Sequence, residues 1–154
     1  MASIKTIKPI LIGLLSFLLL NISCTPESNN NNDSMPALLI GEFEDDYGIQ
    51  YQIDKDVFRL LPDDQFHIIS VNQAEQYLIL QNDSLNTYAP SLFTRIDYQK
   101  LDNMEPYEWA FCFSSFEEKS KDDAVNALNA QKSDLMSGCN GFPFSRMKPS
   151  NKSN

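Results

Sequence analysis

The chain has 154 residues, 42% of them hydrophobic and 21% charged, with 12 Lys and Arg against 21 Asp and Glu. That length suits one domain and leaves no room for two independent cores, and the apolar fraction excludes a wholly disordered or fibrous chain. A net charge of −9 without a basic cluster argues against a nucleic-acid partner, and one His with three Cys is too few for most zinc sites.

In chain order, residues 1–9 carry Lys5 and Lys8 and no acid, and a mostly apolar run of 11 residues follows from Ile10 to Leu20. A basic start, a short apolar run and small Ser23 before a break predict a secretory signal peptide over residues 1–23. The run is far short of the ~20 residues that span a bilayer. Its end, Leu20-Asn21-Ile22-Ser23-Cys24, resembles the lipobox of bacterial lipoproteins, in which the cysteine is lipidated and becomes the first residue. Asn21 stands at the usual aliphatic position and Leu20 lies four places before Cys24, a relaxed form similar to that of Bacteroidetes-type lipoproteins. The resemblance implies acyl chains such as palmitate on Cys24 and a place in the cell envelope, on the outer membrane and facing the periplasm or the surface. Several acyl chains bury many methylenes at ~0.8 kcal/mol each, enough for stable anchoring. The competing reading is a simple signal-peptidase cut that leaves a free thiol. Either cut removes two Lys and no acid, so the mature charge becomes −11.

No apolar residue lies between Pro26 and Met35, and residues 29–32 are all Asn, so residues 24–36 read as a lipidated cysteine followed by a disordered spacer. The folded unit is expected over residues 37–148 and a polar tail over 149–154, with no internal repeat. Ile49, Tyr51 and Ile53 alternate with Gln50 and Gln52, the pattern of a half-buried strand. Phe66–Val71 and Tyr77–Leu80 are apolar runs joined by a polar hairpin loop over residues 72–76. Two aromatic-rich strands follow, Leu92–Tyr98 and Tyr107–Phe113. Ser120–Ala130 reads helical, with Ser120 as N-cap, Asp122 and Asp123 in the first turn, and Ala124, Ala127 and Leu128 on one face. Phe142-Pro143-Phe144 reads as the start of a short closing strand at an edge. The expected fold is mainly β: a small antiparallel meander forming a barrel or sandwich, with one short helix and a disulfide.

Two stretches look like those of small secreted or lipidated bacterial proteins of uncharacterised function. They are Gly41-Glu42-Phe43-Glu44-Asp45-Asp46-Tyr47-Gly48, and Trp109-Ala110-Phe111-Cys112 with the later Gly138-Cys139-Asn140-Gly141-Phe142. The opening Gly41-Glu42-Phe43 is also similar to the first strand of lipocalin-like barrels, with Phe43 where Trp is usual. The resemblance implies a β-rich extracytoplasmic domain, lipocalin-like at most, and supplies no catalytic residue.

With Cys24 set aside, Cys112 and Cys139 form an even pair in an oxidising compartment and read as a disulfide. A reactive thiol would need an electropositive setting and a base, and the neighbours of Cys112 are Trp109, Phe111 and Phe113. His67 falls on a strand with Gln65 and Ile69, opposite Phe66 and Ile68, and reads as an ordinary strand histidine. No Gly-x-Ser-x-Gly elbow accompanies it, and no nucleophile, base and orienter can be assembled. Arg95 and Asp97 share one strand face, and if that face lines a barrel interior the pair could orient a polar ligand. Tyr107, Trp109, Phe111 and Phe113 also share a face, read as core or as a ligand-lining wall with Trp109 as its candidate contact. Asp45-Asp46, Asp54-x-Asp56 and Asp63-Asp64 read as solvated turns, since the stretch from Asp54 lacks the Gly and Glu of an EF-hand loop. No cofactor or metal is implied. The expected function is a lipid-anchored envelope protein that binds a small ligand or an envelope partner. The alternatives are an envelope hydrolase or other enzyme, and a structural or interaction module without a pocket.

Overall fold

In the computed structural model, which describes residues 34–150, alternating apolar and polar positions become eight strands. They are β1 (Gly41–Asp45), β2 (Gln50–Ile53), β3 (Val57–Leu60), β4 (Asp64–Asn72), β5 (Tyr77–Asn82), β6 (Phe93–Lys100), β7 (Trp109–Glu118) and β8 (Ser145–Pro149). Each is antiparallel to its sequence neighbour, and β8 returns to β1, so the expected meander closes into a barrel. The predicted signal peptide, Cys24 and most of the spacer lie outside the described residues.

Register places inward side chains opposite one another: Phe43 faces Tyr51, Ile53 faces Phe58, Phe58 faces Phe66 and Tyr98 faces Phe111. An eight-stranded barrel is just wide enough for side chains to fill. Aromatic rings fill this one, edge to face, with centroids 5.3 Å apart for Phe43–Trp109 and 5.6 Å apart for Tyr51–Phe111 and Phe58–Phe111. Trp109, Phe111 and Phe113 point inward as their spacing predicts. Tyr107 does not share their face, because it precedes β7 and lies outside the wall beneath the Arg146 guanidinium, 4.6 Å from the ring centroid.

Odd-numbered strands run away from the end where the chain enters. That entry end is stopped by a short 3-10 turn, Ala37–Leu39, whose Leu39 is fully buried and whose neighbours Met35 and Leu38 pack on the core. At the other terminus Pro149 pairs with Phe43, and the Ser150 amide donates to the Glu42 carbonyl at 2.8 Å. The folded unit therefore exceeds the predicted 37–148: Met35 joins it at one side, Pro149 and Ser150 at the other. Closure requires β8 to reach past Phe43, a demand that polar composition does not reveal. The closing strand begins at Ser145 rather than Phe142, and Pro143 lies outside it; Phe144 is instead buried outside the barrel with Leu101, Ala110 and Cys112.

The segment between β7 and β8 forms a second layer over the outer faces of β5, β6 and β7. It starts with α1 (Lys121–Val125), whose Ala124 is buried against Tyr77 and Ile79. The Ser120 hydroxyl accepts the Asp123 N–H at 3.1 Å, the predicted cap. Ser120→Ala should lower stability by about 1 kcal/mol in chemical denaturation, the usual cost of losing such a cap. The helix is five residues long, not eleven. Beyond Val125 the backbone turns to the barrel wall, where the Ala130 N–H meets Asp97, and Leu128 is left 85% exposed. The layer ends at the Cys112–Cys139 disulfide, with Cα atoms 5.5 Å apart. Gly138 lies so close to the preceding turn that a Cβ there would sit 2.1 Å from the Gln131 carbonyl oxygen, so only glycine fits.

Candidate functional site

The expected Arg95–Asp97 pair forms, but on the outer wall. Ile96 and Tyr98 take the interior, so Arg95 and Asp97 face the second layer and are 2% and 1% exposed. Arg95 donates Nε to Asp97 Oδ2 at 3.0 Å and Nη2 to Oδ1 at 3.1 Å. Its Nη1 donates to the Val125 carbonyl at 2.7 Å, closing the C-terminus of α1, and its guanidinium stacks 4.0 Å from the Tyr77 ring centroid. Asp97 also accepts from the Ser114 hydroxyl at 2.5 Å, and Lys132 Nζ stands 3.7 Å away while donating to the Gln76 carbonyl at 2.9 Å. Burial alone would raise the Asp97 pKa, but the hydrogen bonds from Arg95 and Ser114 and the Arg95 charge outweigh it, and the carboxyl lies below its ordinary value. These groups satisfy one another and fasten the second layer to the barrel.

Trp109 lies on the opposite side of the wall, inside the barrel at its entry end and 1% exposed, so the structure does not bring it together with Arg95 and Asp97. Its Nε1 has no hydrogen-bond partner among the described residues. His67 is half exposed on the outer face and bonds Asp83 Oδ2 at 2.8 Å, while Cys112 is held in the disulfide, so these two residues form no Cys–His pair. The acidic turns at Asp45-Asp46 and Asp54 are occupied locally. Asp45 accepts the N–H groups of Tyr47 and Ile49 and the Tyr51 hydroxyl, Asp46 pairs with Arg146 at 2.8 Å, and Asp54 pairs with Arg59 at 2.7 Å.

An aromatic-lined concave site lies at the far end of the barrel, where odd-numbered strands finish. A cavity of about 180 Å³ is lined there by Leu60, Asp64, Phe66, Asn82, Tyr88, Phe113 and Phe116. Phe66 and Phe113 form its floor with ring centroids 5.7 Å apart, and Tyr88 packs on Phe116 at 5.2 Å to form a lip. One wall is the β5–β6 loop, residues 83–92, which two buried asparagines hold in place. Asn82 Nδ2 donates to the carbonyls of Ala89 and Phe116 at 2.8 and 3.1 Å, and its Oδ1 accepts from the Thr94 hydroxyl at 2.6 Å. Asn86 accepts the Gln65 N–H at 2.9 Å and donates to the Gln65 carbonyl at 2.7 Å. This bracing keeps Ala89 and Ser91 in the left-handed region, at φ of 46° and 64°, which non-glycine residues rarely adopt. Tyr88 donates its hydroxyl proton to Glu117, and that bond holds the phenol above its ordinary pKa. Asp64 pairs with Leu60 through the backbone ladder, while its carboxylate takes part in no hydrogen bond or ion pair among the described residues.

Searches against protein-family models, curated proteins and solved structures found no match to this chain.

Of the residues at this mouth, the sequence marks Phe66 as part of an apolar strand run, Phe113 as core or a ligand-lining wall, and Asp64 as part of a solvated acidic turn. The available signal was a scatter of apolar residues in otherwise polar turns. Leu61, Leu85, Tyr88 and Phe116 are all more than 40% exposed around the opening.

Proposed function

We propose that this protein is a lipid-anchored protein of the cell envelope, held to the membrane through Cys24, whose barrel binds a small ligand at the mouth away from the anchor. The observation that carries this reading is the opposition of the two ends. The chain enters at the end stopped by Leu39, and the aromatic cavity opens at the other, where β3, β5 and β7 finish. An anchor at one end would leave the opening directed away from the bilayer. The basic start, the apolar run and the relaxed lipobox supply the anchor side of the reading. The braced loop at the mouth supplies the binding side, since a pre-formed concave apolar site is the usual seat of a small ligand.

The anchor is tested by mass spectrometry of the protein recovered from membranes. The peptide that begins at Cys24 should carry acyl chains, and Cys24→Ser should abolish that modification. An unmodified Cys24 in membrane-extracted wild-type protein would overturn the anchor.

A further inference from the structure

We infer that the far mouth takes a small organic cation, a protonated amine or quaternary ammonium borne on a single ring or a short alkyl group. The inference rests on the reading of that mouth as a ligand site.

Size sets the first limit. A buried apolar cavity of roughly 150 Å³ accommodates benzene, and the mouth offers about 180 Å³. One six-membered ring with a short substituent fits, and a fatty acyl chain does not.

Wall chemistry sets the second. Phe66, Phe113, Phe116 and Tyr88 supply four of the seven lining side chains. Aromatic rings bury apolar area well, and their negative faces also attract ammonium groups. The polar groups around them are not equally available. Asn82 has spent both amide protons and its carbonyl on Ala89, Phe116 and Thr94. The Tyr88 proton is committed to Glu117. Asp64, the one charged residue of the seven, has a carboxylate with no partner among the described residues. A neutral ligand would leave that charge beside an apolar body without a partner, and an anionic one would be repelled by it.

The surrounding field has the same sign. Asp63 precedes Asp64, Asp83 follows β5, and Glu117 and Glu118 end β7. The cations nearest in sequence, Arg59 and Lys119, are outnumbered by these acids. Arg59 is bound to Asp54, and Lys119 follows two glutamates. Apolar walls with one free carboxylate and an acidic surround therefore select a cation with an apolar body.

The test titrates the full chain, in non-ionic detergent micelles at low salt, with benzylammonium, benzyl alcohol and benzoate. The backbone amide NMR shifts of Asn82, Phe113 and Phe116 are followed, so that partition into micelles does not register as binding. Benzylammonium should bind about tenfold more tightly than benzyl alcohol, and benzoate least. Asp64→Asn should remove the preference for the cation over benzyl alcohol. Raising the salt on the wild-type chain should erode the same preference without any substitution. Phe116→Ala should weaken all three ligands. If benzyl alcohol binds as tightly as benzylammonium, or if the preference survives Asp64→Asn, the cation inference is overturned while the ligand site stands. If none of the three moves these amides, the ligand site itself is overturned.

Discussion

Removing either half of the Arg95–Asp97 pair should destabilise the protein by about 3–5 kcal/mol, because the survivor loses its hydrogen-bonded counter-charge in a buried layer, and for Asp97 only Lys132, 3.7 Å away, remains. Arg95→Ala strands a carboxylate that is 1% exposed, and Asp97→Ala strands a guanidinium that is 2% exposed and still tied to the Val125 carbonyl. Denaturant titration of both variants measures this loss. Replacing both together, with Arg95→Met and Asp97→Leu, should recover most of it, since buried pairs are often no more stable than apolar residues of like volume. A double variant as unstable as the singles would mean that the geometry of the layer, and not the stranded charge, sets the cost. The pair also gives stability a pH dependence. The folded-state pKa of Asp97 lies below its ordinary value, so its contribution is fully present above the unfolded value near 3.9 and is lost as pH falls through the folded one. Wild-type stability should therefore fall more steeply below about pH 4 than that of Asp97→Asn, and thermal melts from pH 6 to pH 2 measure the difference.

Loss of the disulfide should have an effect of similar size. Cys112 and Cys139 are 27 residues apart, and closing a loop of that length in the unfolded chain is worth about 3.5 kcal/mol on the chain-entropy account. A domain of this size has ~5–15 kcal/mol in total, so Cys112→Ala with Cys139→Ala should lower the Tm by roughly 10–15 °C. The loop encloses the whole second layer, α1 included. Amide exchange should accordingly accelerate over α1 and the turns that follow it before it does so in the aromatic interior. Uniform acceleration would show that the layer and the barrel unfold as one unit.

The two lesions fall on one layer because its residues carry two kinds of information. Spacing shows which side chains share a strand face, and it placed Arg95 with Asp97 and Trp109 with Phe111 correctly. It does not say which face is interior when both are covered. β5, β6 and β7 are buried inward by the barrel core and outward by the second layer. Tyr77-Leu78-Ile79-Leu80 consequently reads as an unbroken apolar run, without the alternation seen in β2. β3 escaped notice for the opposite reason: it is four residues long, one of them Arg59, and turns flank it closely. The helix was overextended because intrinsic preference continues past Val125, while Arg95 and Asp97 draw the backbone away to the wall. The mouth was beyond local patterning altogether. Leu60, Asp64, Asn82, Tyr88 and Phe116 come from five segments and meet only when the barrel closes.

That closure orders events in time. Seven of the eight strand pairings join sequence neighbours, and the eighth joins Phe43 to Pro149 across nearly the whole described chain. Local hairpins form in microseconds, whereas a pairing between distant segments waits on a slow search. A chain delivered N-terminus first, from a ribosome or through a secretion channel, can zip its early hairpins but lacks β8 until Pro149 has emerged. Until then β1 and β7 have only one partner each, and the aromatic interior stays open along that seam. The topology thus delays completion of the barrel until Pro149 is available to pair with Phe43.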